Sequence, residues 1–383
     1  MSATNYHFRE YLDGGFINTI KNDHGYTDSS IIEQFIMDYE ILFHLLNEIP
    51  DLVIKGGMSV PFHIPDKKLR RLSVDIDVVT SLAKDKIESA IEKVRHNTNG
   101  LFNIPQPYIP QSPKRKLPLL TYYVPYTSSI TNQTNRVKVE IFYDFKDELP
   151  LKSIDSGTEL IGFKLDYPLR IFNLNTLIGD KITTLGFNTI GLLEEKRSDT
   201  IKHIYDVGTL IRLIENQASA EKLLEIFQQV AAYENSFNDK QYSYADIIAD
   251  IISSLDSLLI QGAGYSLESS HEGRYCTFKT QLLQKGNSYN KLNHVSDILL
   301  IKLLASYLQL SINGKIRQKE VVDGFYGDLT RFNSIISQDG QQKKQSRKKI
   351  IQSFDTRTKG DFINTIAPAE QVFLFSRIEN LQS

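Results

Sequence analysis

Two aspartates, Asp75 and Asp77, stand one residue apart in the run RRLSVDIDVV. On an extended strand this spacing puts both carboxylates on one face, about 6 to 7 Å apart, where they can grip one or two hard cations such as Mg²⁺. A solvent-facing strand places acids in the same way, so the pair gains meaning only beside other groups. The first of these is Gly56-Gly57, which follows an apolar run and precedes a helical one. Exposed amides at such a turn bind phosphate, although a glycine pair also makes a plain tight turn. A two-metal site wants a third carboxylate from a neighbouring strand. Glu140 in RVKVEIFYDF is the best candidate, because Val137, Val139 and Ile141 would face the core and leave Lys138, Glu140 and Phe142 in phase. An exposed Glu beside an exposed Lys on a hairpin explains that pattern equally well, and Asp144 is the rival if the strand carries a bulge.

The elements that must hold these groups are legible in outline. Ile32, Phe35, Ile36, Tyr39, Ile41, Leu42, Leu45 and Leu46 recur at mostly three- and four-residue intervals, which predicts a helix over Ser29 to Asn47 capped by Asp28 or Ser29 and ended by Pro50. Leu52 to Lys55 then reads as a short strand and Met58 to His63 as a helix. Arg71 to Thr80 alternates as a half-buried strand, with Leu72, Val74, Ile76 and Val78 on one side and Ser73, Asp75 and Asp77 on the other. A helix over Lys84 to His96 follows. Asn103 to Pro118, with its prolines and PKRK, reads as a basic loop, and Leu119 to Tyr126 with Arg136 to Phe145 as an antiparallel pair. After Pro168 the pattern turns helical, over Asn173 to Leu185, Asp199 to Glu215 and most of the chain beyond Ala218. This predicts a catalytic region over 1–217, with its core sheet at about 50–150 and helices at about 168–216. A helical domain over 218–383 follows. A weaker seam lies near 150–165.

Composition narrows the function. The 383 residues are 41% apolar, enough to bury a real core. Lys and Arg total 44 against 46 Asp and Glu, a net charge of -2, so any nucleic-acid contact must use local patches. Those on offer are Lys67, Lys68, Arg70, Arg71, Lys114, Arg115, Lys116 and the cluster at 343–349, each of which also suits an ordinary solvated surface. The single Cys276 excludes an intrachain disulfide and a thiolate metal cluster within one chain, and it fits a reducing, cytoplasmic setting. No signal-like segment opens the chain, and Lys302 interrupts the apolar stretch Ile298 to Leu308, so no membrane is expected. SINGKIRQ lacks the hydroxyl residue of a P-loop, QGAGYSLE has too few glycines for a dinucleotide loop, and no H-E-x-x-H or G-x-S-x-G occurs.

Taken together, IKGGMSVPFHI and RRLSVDIDVV resemble the Gly-Gly then Asp-x-Asp signature of polymerase-β-like nucleotidyltransferases, and more narrowly the AbiEii (AbiGii) toxin group. Lys55, Gly56, Gly57, Arg71, Ser73, Asp75 and Asp77 fall on that pattern; Met58-Ser59-Val60 departs from it behind the loop. NLNTLIGDKITTL resembles the family helix that carries Lys181, and IKHIYDVGTL the helix that ends at Asp206, with Lys202-His203 where the family has Arg-Asp. The resemblance implies an α/β (α+β) fold, a small mixed sheet followed by a largely helical C-terminal lobe. It implies Mg²⁺ (or Mn²⁺) on Asp75, Asp77 and Glu140. Nucleotide binding falls to Lys55, Gly56, Gly57, Ser59, Ser73 and Lys181, with Lys181 neutralising triphosphate charge and Asp206 positioning groups beside it. The implied reaction moves NMP from an NTP to an acceptor hydroxyl, an RNA such as a tRNA 3′ end being favoured, in a toxin with a separately encoded antitoxin and a role in phage defence. Small-molecule or protein nucleotidylation, and a nucleotide- or RNA-binding pseudoenzyme, are the alternatives.

Overall fold

The computed structural model describes residues 13–98, 100–108, 116–143, 145, 149–262, 264–312, 317–354 and 367–382. Asp144, Lys114 and Arg115 lie outside the described residues. The fold is mixed α/β and divides into two compact units, Met1–Leu177 with Thr277–Asn287, and Ile178–Cys276 with Ser288–Ser383. The division expected at 217/218 falls inside the second unit.

In the first unit α1 (Gly14–His24) leads to α2 (Ser29–Glu48), where the Asp28 carboxylate accepts the Ser30 amide at 2.9 Å and caps the helix. Ile32, Phe35, Ile36, Tyr39, Leu42 and Leu45 are all buried, as their spacing predicts. Pro50 lies just past its end. β1 (Val53–Ile54) and the single-turn α3 (Gly56–Ser59) follow, continued by a 3₁₀ turn over Val60–Phe62 in place of a regular helix to His63. Next come β2 (Asp75–Val79), α4 (Lys84–Asn97), β3 (Gln106–Tyr108), β4 (Leu119–Thr127), β5 (Thr134–Phe142), β6 (Leu151–Ile154) and β7 (Leu169–Phe172).

All seven strands join one sheet in the order β3-β4-β5-β2-β1-β7-β6. β2 runs parallel to β5 and β1 parallel to β7, while the other neighbours are antiparallel, so the sheet is mixed. The β4–β5 pair matches expectation. Three strands do not. β3 falls in the stretch read as a loop, and β6 and β7 flank the point where helices were expected to take over. β2 is also shorter than the alternating run, because Leu72 bonds instead to the carbonyl of Leu282, at 3.1 Å from its amide.

The second unit is helical: the end of α5 (Leu174–Thr183), α6 (Thr200–Ile211), α7 (Gln217–Ser236), α8 (Tyr244–Ser257), the start of α9 (Ser269–Leu282), α10 (Lys291–Ile312), α11 (Gln318–Ile336), α12 (Gly340–Gln352) and α13 (Ala369–Gln382). A hairpin of β8 (Leu259–Gly262) and β9 (Gly264–Leu267), not expected from the sequence, interrupts the helices. α10 is long and apolar enough to cross a membrane by length and composition, and it is the core helix of this unit, buried from His294 to Leu308. Its interior Lys302 bonds Asp256 at 2.7 Å.

Candidate active site

The glycine turn and the Asp-x-Asp strand are built against each other. Gly56 has φ +63, a left-handed conformation that side chains disfavour, and a Cβ there would stand 2.1 Å from Asp77 Oδ2. A Cβ on Gly57 would meet Ser73 Oγ at 2.3 Å and Arg71 Nη2 at 2.8 Å. The Lys55 amide donates to the Asp77 carbonyl at 2.9 Å, and the Ser59 hydroxyl donates to the Gly56 carbonyl at 2.9 Å. The residues that share the sequence signature are therefore one interlocked object. Ser59, fully buried, shapes the turn from behind. Arg71, also buried, donates to the Leu72 carbonyl at 2.8 Å, and Lys67 pairs with Glu159 at 2.9 Å, so neither is the free surface cation the sequence allowed. For Gly56→Ala we expect a melting temperature several degrees lower and nucleotidyl transfer about 100-fold slower, since the added methyl must displace the Asp77 carboxylate. A variant with wild-type melting and wild-type rate would show that the close approach is dispensable.

Along β2 and β5 the parallel register sets Asp75 beside Lys138 and Asp77 beside Glu140. Glu140 Oε2 is held by Lys138 Nζ at 2.6 Å. Burial disfavours the Lys138 ammonium, but Glu140 and Asp75 more than offset this and hold it above its usual range. Asp77 is pushed up to about 7, first by burial and then by the like charges of Glu140 and Asp75, with Lys138 and Lys55 opposing. Among the described residues no hydrogen bond or ion pair engages its carboxylate. A carboxylate crowded by like charges and left unbonded calls for a cation.

The donor set can be tested for a metal on those terms. Among the described residues no three His, Cys, Asp or Glu side chains gather as a cation cage. Mg²⁺ does not need one, because it commonly takes one or two protein carboxylates and completes its octahedron with water and substrate phosphates. Asp75 and Asp77 fit that use, whereas Glu140 is engaged by Lys138.

Sequence reasoning missed Asp38. It lies on α2, is fully buried, and among the described residues neither carboxylate oxygen has a hydrogen-bond partner. Burial, then Asp75 and Asp77, hold its pKa well above the carboxylate range. One turn earlier Gln34 donates to the carbonyl of Val74 at 2.9 Å, which ties this helix to the residue preceding Asp75. Nothing in the helical pattern distinguishes Asp38 from a solvated polar position. An apolar side chain of similar size removes the desolvation cost, so Asp38→Leu should raise stability in urea unfolding by about 1–3 kcal/mol. A loss of stability would mean that the acid makes an attractive contact after all.

In the second unit Lys181 and Asp206 meet. Lys181 Nζ lies 2.7 Å from Asp206 Oδ2, and the two residues are 1% and 0% exposed. Lys202, four residues before Asp206 on the same helix, bonds Asp199 at 2.9 Å. Gly179, on the same helix as Lys181, is packed against Phe227 of α7, where a Cβ would stand 3.5 Å from its backbone.

Over residues 40–287 the chain matches the model of a nucleotidyl transferase AbiEii toxin of a type IV toxin-antitoxin system. The chain belongs to the AbiEii family. The match spans Asp75, Asp77, Glu140, Lys181 and Asp206 and stops short of α10 to α13. As an AbiEii member it is an enzyme, a nucleotidyltransferase of toxin type that draws on an NTP and has a separate antitoxin. AbiEii chemistry generally uses a divalent metal. None of the curated proteins matches the chain. Two solved Helicobacter pylori proteins are similar over 74% of it. One, taken to be a nucleotidyltransferase, is covered to 99% at 14% identity and a TM-score of 0.38. The other, JHP933, is covered to 98% at 13% identity and a TM-score of 0.36.

Proposed function

We propose that this AbiEii enzyme transfers the NMP of an NTP to a hydroxyl of RNA, with a tRNA 3′ end as the favoured acceptor, and releases pyrophosphate. The observation that carries this reading is the unbonded Asp77 carboxylate, crowded by Asp75 and Glu140 and overhung by the Gly56 turn. Asp75 and Asp77 would hold Mg²⁺, which when bound offsets charge on the triphosphate and favours an ionised attacking oxygen. Gly56 and Gly57, lacking side chains, let the Asp77 carboxylate and the Ser73 and Arg71 side chains pack directly against the turn, which fixes Asp77 in place for the cation. Lys55 contributes positive charge from the same turn, its ammonium 4.9 Å over the Phe142 ring. Glu140, linked to Lys138, positions that ammonium beside Asp75 and can receive the acceptor proton once released from it. Ser59 and Ser73 support the turn rather than the nucleotide. Lys181 and Asp206 act as one unit, the lysine supplying charge toward the triphosphate and the aspartate fixing its position.

The test is incubation of the purified protein with each labelled NTP, Mg²⁺ and either total RNA or total protein. Label in RNA, lost when Mg²⁺ is chelated, is expected. Label confined to protein or to small molecules would move the enzyme to a different acceptor, and label nowhere would leave only nucleotide or RNA binding.

A further inference from the structure

Helix α12 carries Lys343, Lys344, Arg347, Lys348 and Lys349 and no acidic residue along Gly340–Gln352. Lys343 with Arg347 and Lys344 with Lys348 are four apart, a spacing at which like charges repel and weaken a helix. Among the described residues no carboxylate pairs with Lys343, Lys344, Lys348 or Lys349. The helix is held instead by its ends and one edge: Asp339 caps it in a reciprocal box with Gln342, Ile350 and Ile351 are buried, and Arg347 Nε donates to the Ala367 carbonyl at 2.8 Å. Lys344, Lys348 and Lys349 face solvent.

Two adjoining concavities run beside this charge within the second unit, with volumes of about 290 and 260 Å³. They share Arg331, Lys349 and Ile350 as walls, and Asp and Glu are absent from both linings. Ser346 and Gln338 add polar groups to one; Ser353, Ser376 and Asn380 add them to the other. Arg331 stacks over Phe373 with its guanidinium carbon 5.4 Å from the ring centre, which orients it without neutralising it. Among the described residues Arg377 is the one lining cation with a carboxylate partner, Asp328 at 2.8 Å.

We infer that the face formed by α11, α12 and α13 binds the phosphate backbone of RNA, two successive phosphates entering the two concavities. The occupant follows from what the face offers and lacks. It has unpaired cations and hydroxyl and amide groups, the donor set for phosphate oxygens. It lacks the exposed apolar anchors that a protein partner uses, since none of the large exposed hydrophobic side chains among the described residues lies on these three helices. It lacks an apolar stripe for a membrane, because the isoleucines of α12 are buried. It offers no exposed aromatic on which an unpaired base could stack, so contact is with backbone and independent of sequence. The choice of RNA over DNA rests on the RNA-acceptor reading above. The face lies outside the family-matched residues 40–287, so it belongs to this chain's own C-terminal helices.

Equilibrium binding of a labelled RNA hairpin to the full chain tests this, with no NTP present and salt varied. Wild type should lose affinity steeply with salt. Changing Lys343, Lys344, Lys348 and Lys349 together to Gln should weaken binding at least tenfold at low salt and flatten the log–log salt slope by about 2 to 4. The corresponding four-fold Lys→Arg variant should keep both affinity and slope, which controls for folding. Equal affinity and slope in the Gln variant would overturn the inference, as would tighter binding of poly-glutamate than of RNA, which would assign the face to an acidic protein segment. The transfer reading fails separately. An RNA that binds this face but is never labelled leaves the inference standing, whereas unchanged RNA binding and labelling by the Gln variant removes the inference and leaves the transfer reading intact.

Discussion

Asp77→Ala is expected to lower NMP transfer by roughly 10³-fold or more while its melting temperature in metal-free buffer equals or exceeds that of wild type. The two halves have one cause. In the metal-free protein burial, and then the like charges of Glu140 and Asp75, raise the Asp77 pKa to about 7. An acid whose folded-state pKa lies above its unfolded value favours folding most at low pH, and that advantage disappears as pH rises through the folded value. For Asp77 the window runs from about 4 to about 7, so at neutral pH and above its ionised form weakens the fold. Removing the side chain removes that cost, and with it the group that would hold the cation. Melting curves at pH 5 and pH 8 make the sign visible: the gain in melting temperature should be larger at pH 8. Added Mg²⁺ should narrow the difference by stabilising wild type and not the variant. Retained transfer in a folded Asp77→Ala protein would falsify the assignment of this strand as the catalytic one.

That strand was legible because its periodicity is strict and its motif dense. Asp75 and Asp77 alternate with Ile76 and Val78, and the structure explains why Lys55, Gly56, Gly57, Arg71 and Ser73 accompany them: the glycines leave room that Asp77, Ser73 and Arg71 fill. Helix α2 and the β4–β5 pair were legible for the same reason, as long runs with one period. The short strands were not. β3 is three exposed residues with Pro107 at its centre, and a proline is tolerated there because the strand lies at the sheet edge. β6 and β7 have four residues each, too few for a period to register. Domain organisation was hidden by a different cause. Residues 277–287 return to the first unit through contacts made only in three dimensions, among them Lys285 amide to Gly25 carbonyl at 2.8 Å and Gln284 to the Tyr26 hydroxyl at 3.2 Å. No linker composition marks that return. Asp38 escaped notice because a polar residue in an amphipathic helix is read as solvated until packing shows that it is not.

The buried pair in the second unit leads to the other large effect. Lys181→Ala leaves Asp206, with no exposed surface, without the ammonium 2.7 Å away. Breaking a buried pair from one side strands a charge in a medium that solvates it poorly, at a cost of about 3–5 kcal/mol. Loss of transfer in that single variant would therefore mix two causes, a missing charge for the triphosphate and a weakened fold. Replacing both partners with apolar residues of similar size, Lys181→Met with Asp206→Leu, separates them. The pair's own attraction and its desolvation largely cancel, so the double variant should unfold within about 1 kcal/mol of wild type or be more stable. If Lys181 acts only in packing, the double variant should then recover transfer along with stability. The catalytic assignment predicts the opposite: stability returns, while transfer stays at least as low as in the single variant, and NTP affinity falls in both. Denaturant unfolding, NTP binding and labelled-NTP transfer measured on wild type, the single variant and the double variant decide between the two, and recovered transfer in the double variant would remove Lys181 and Asp206 from the chemistry.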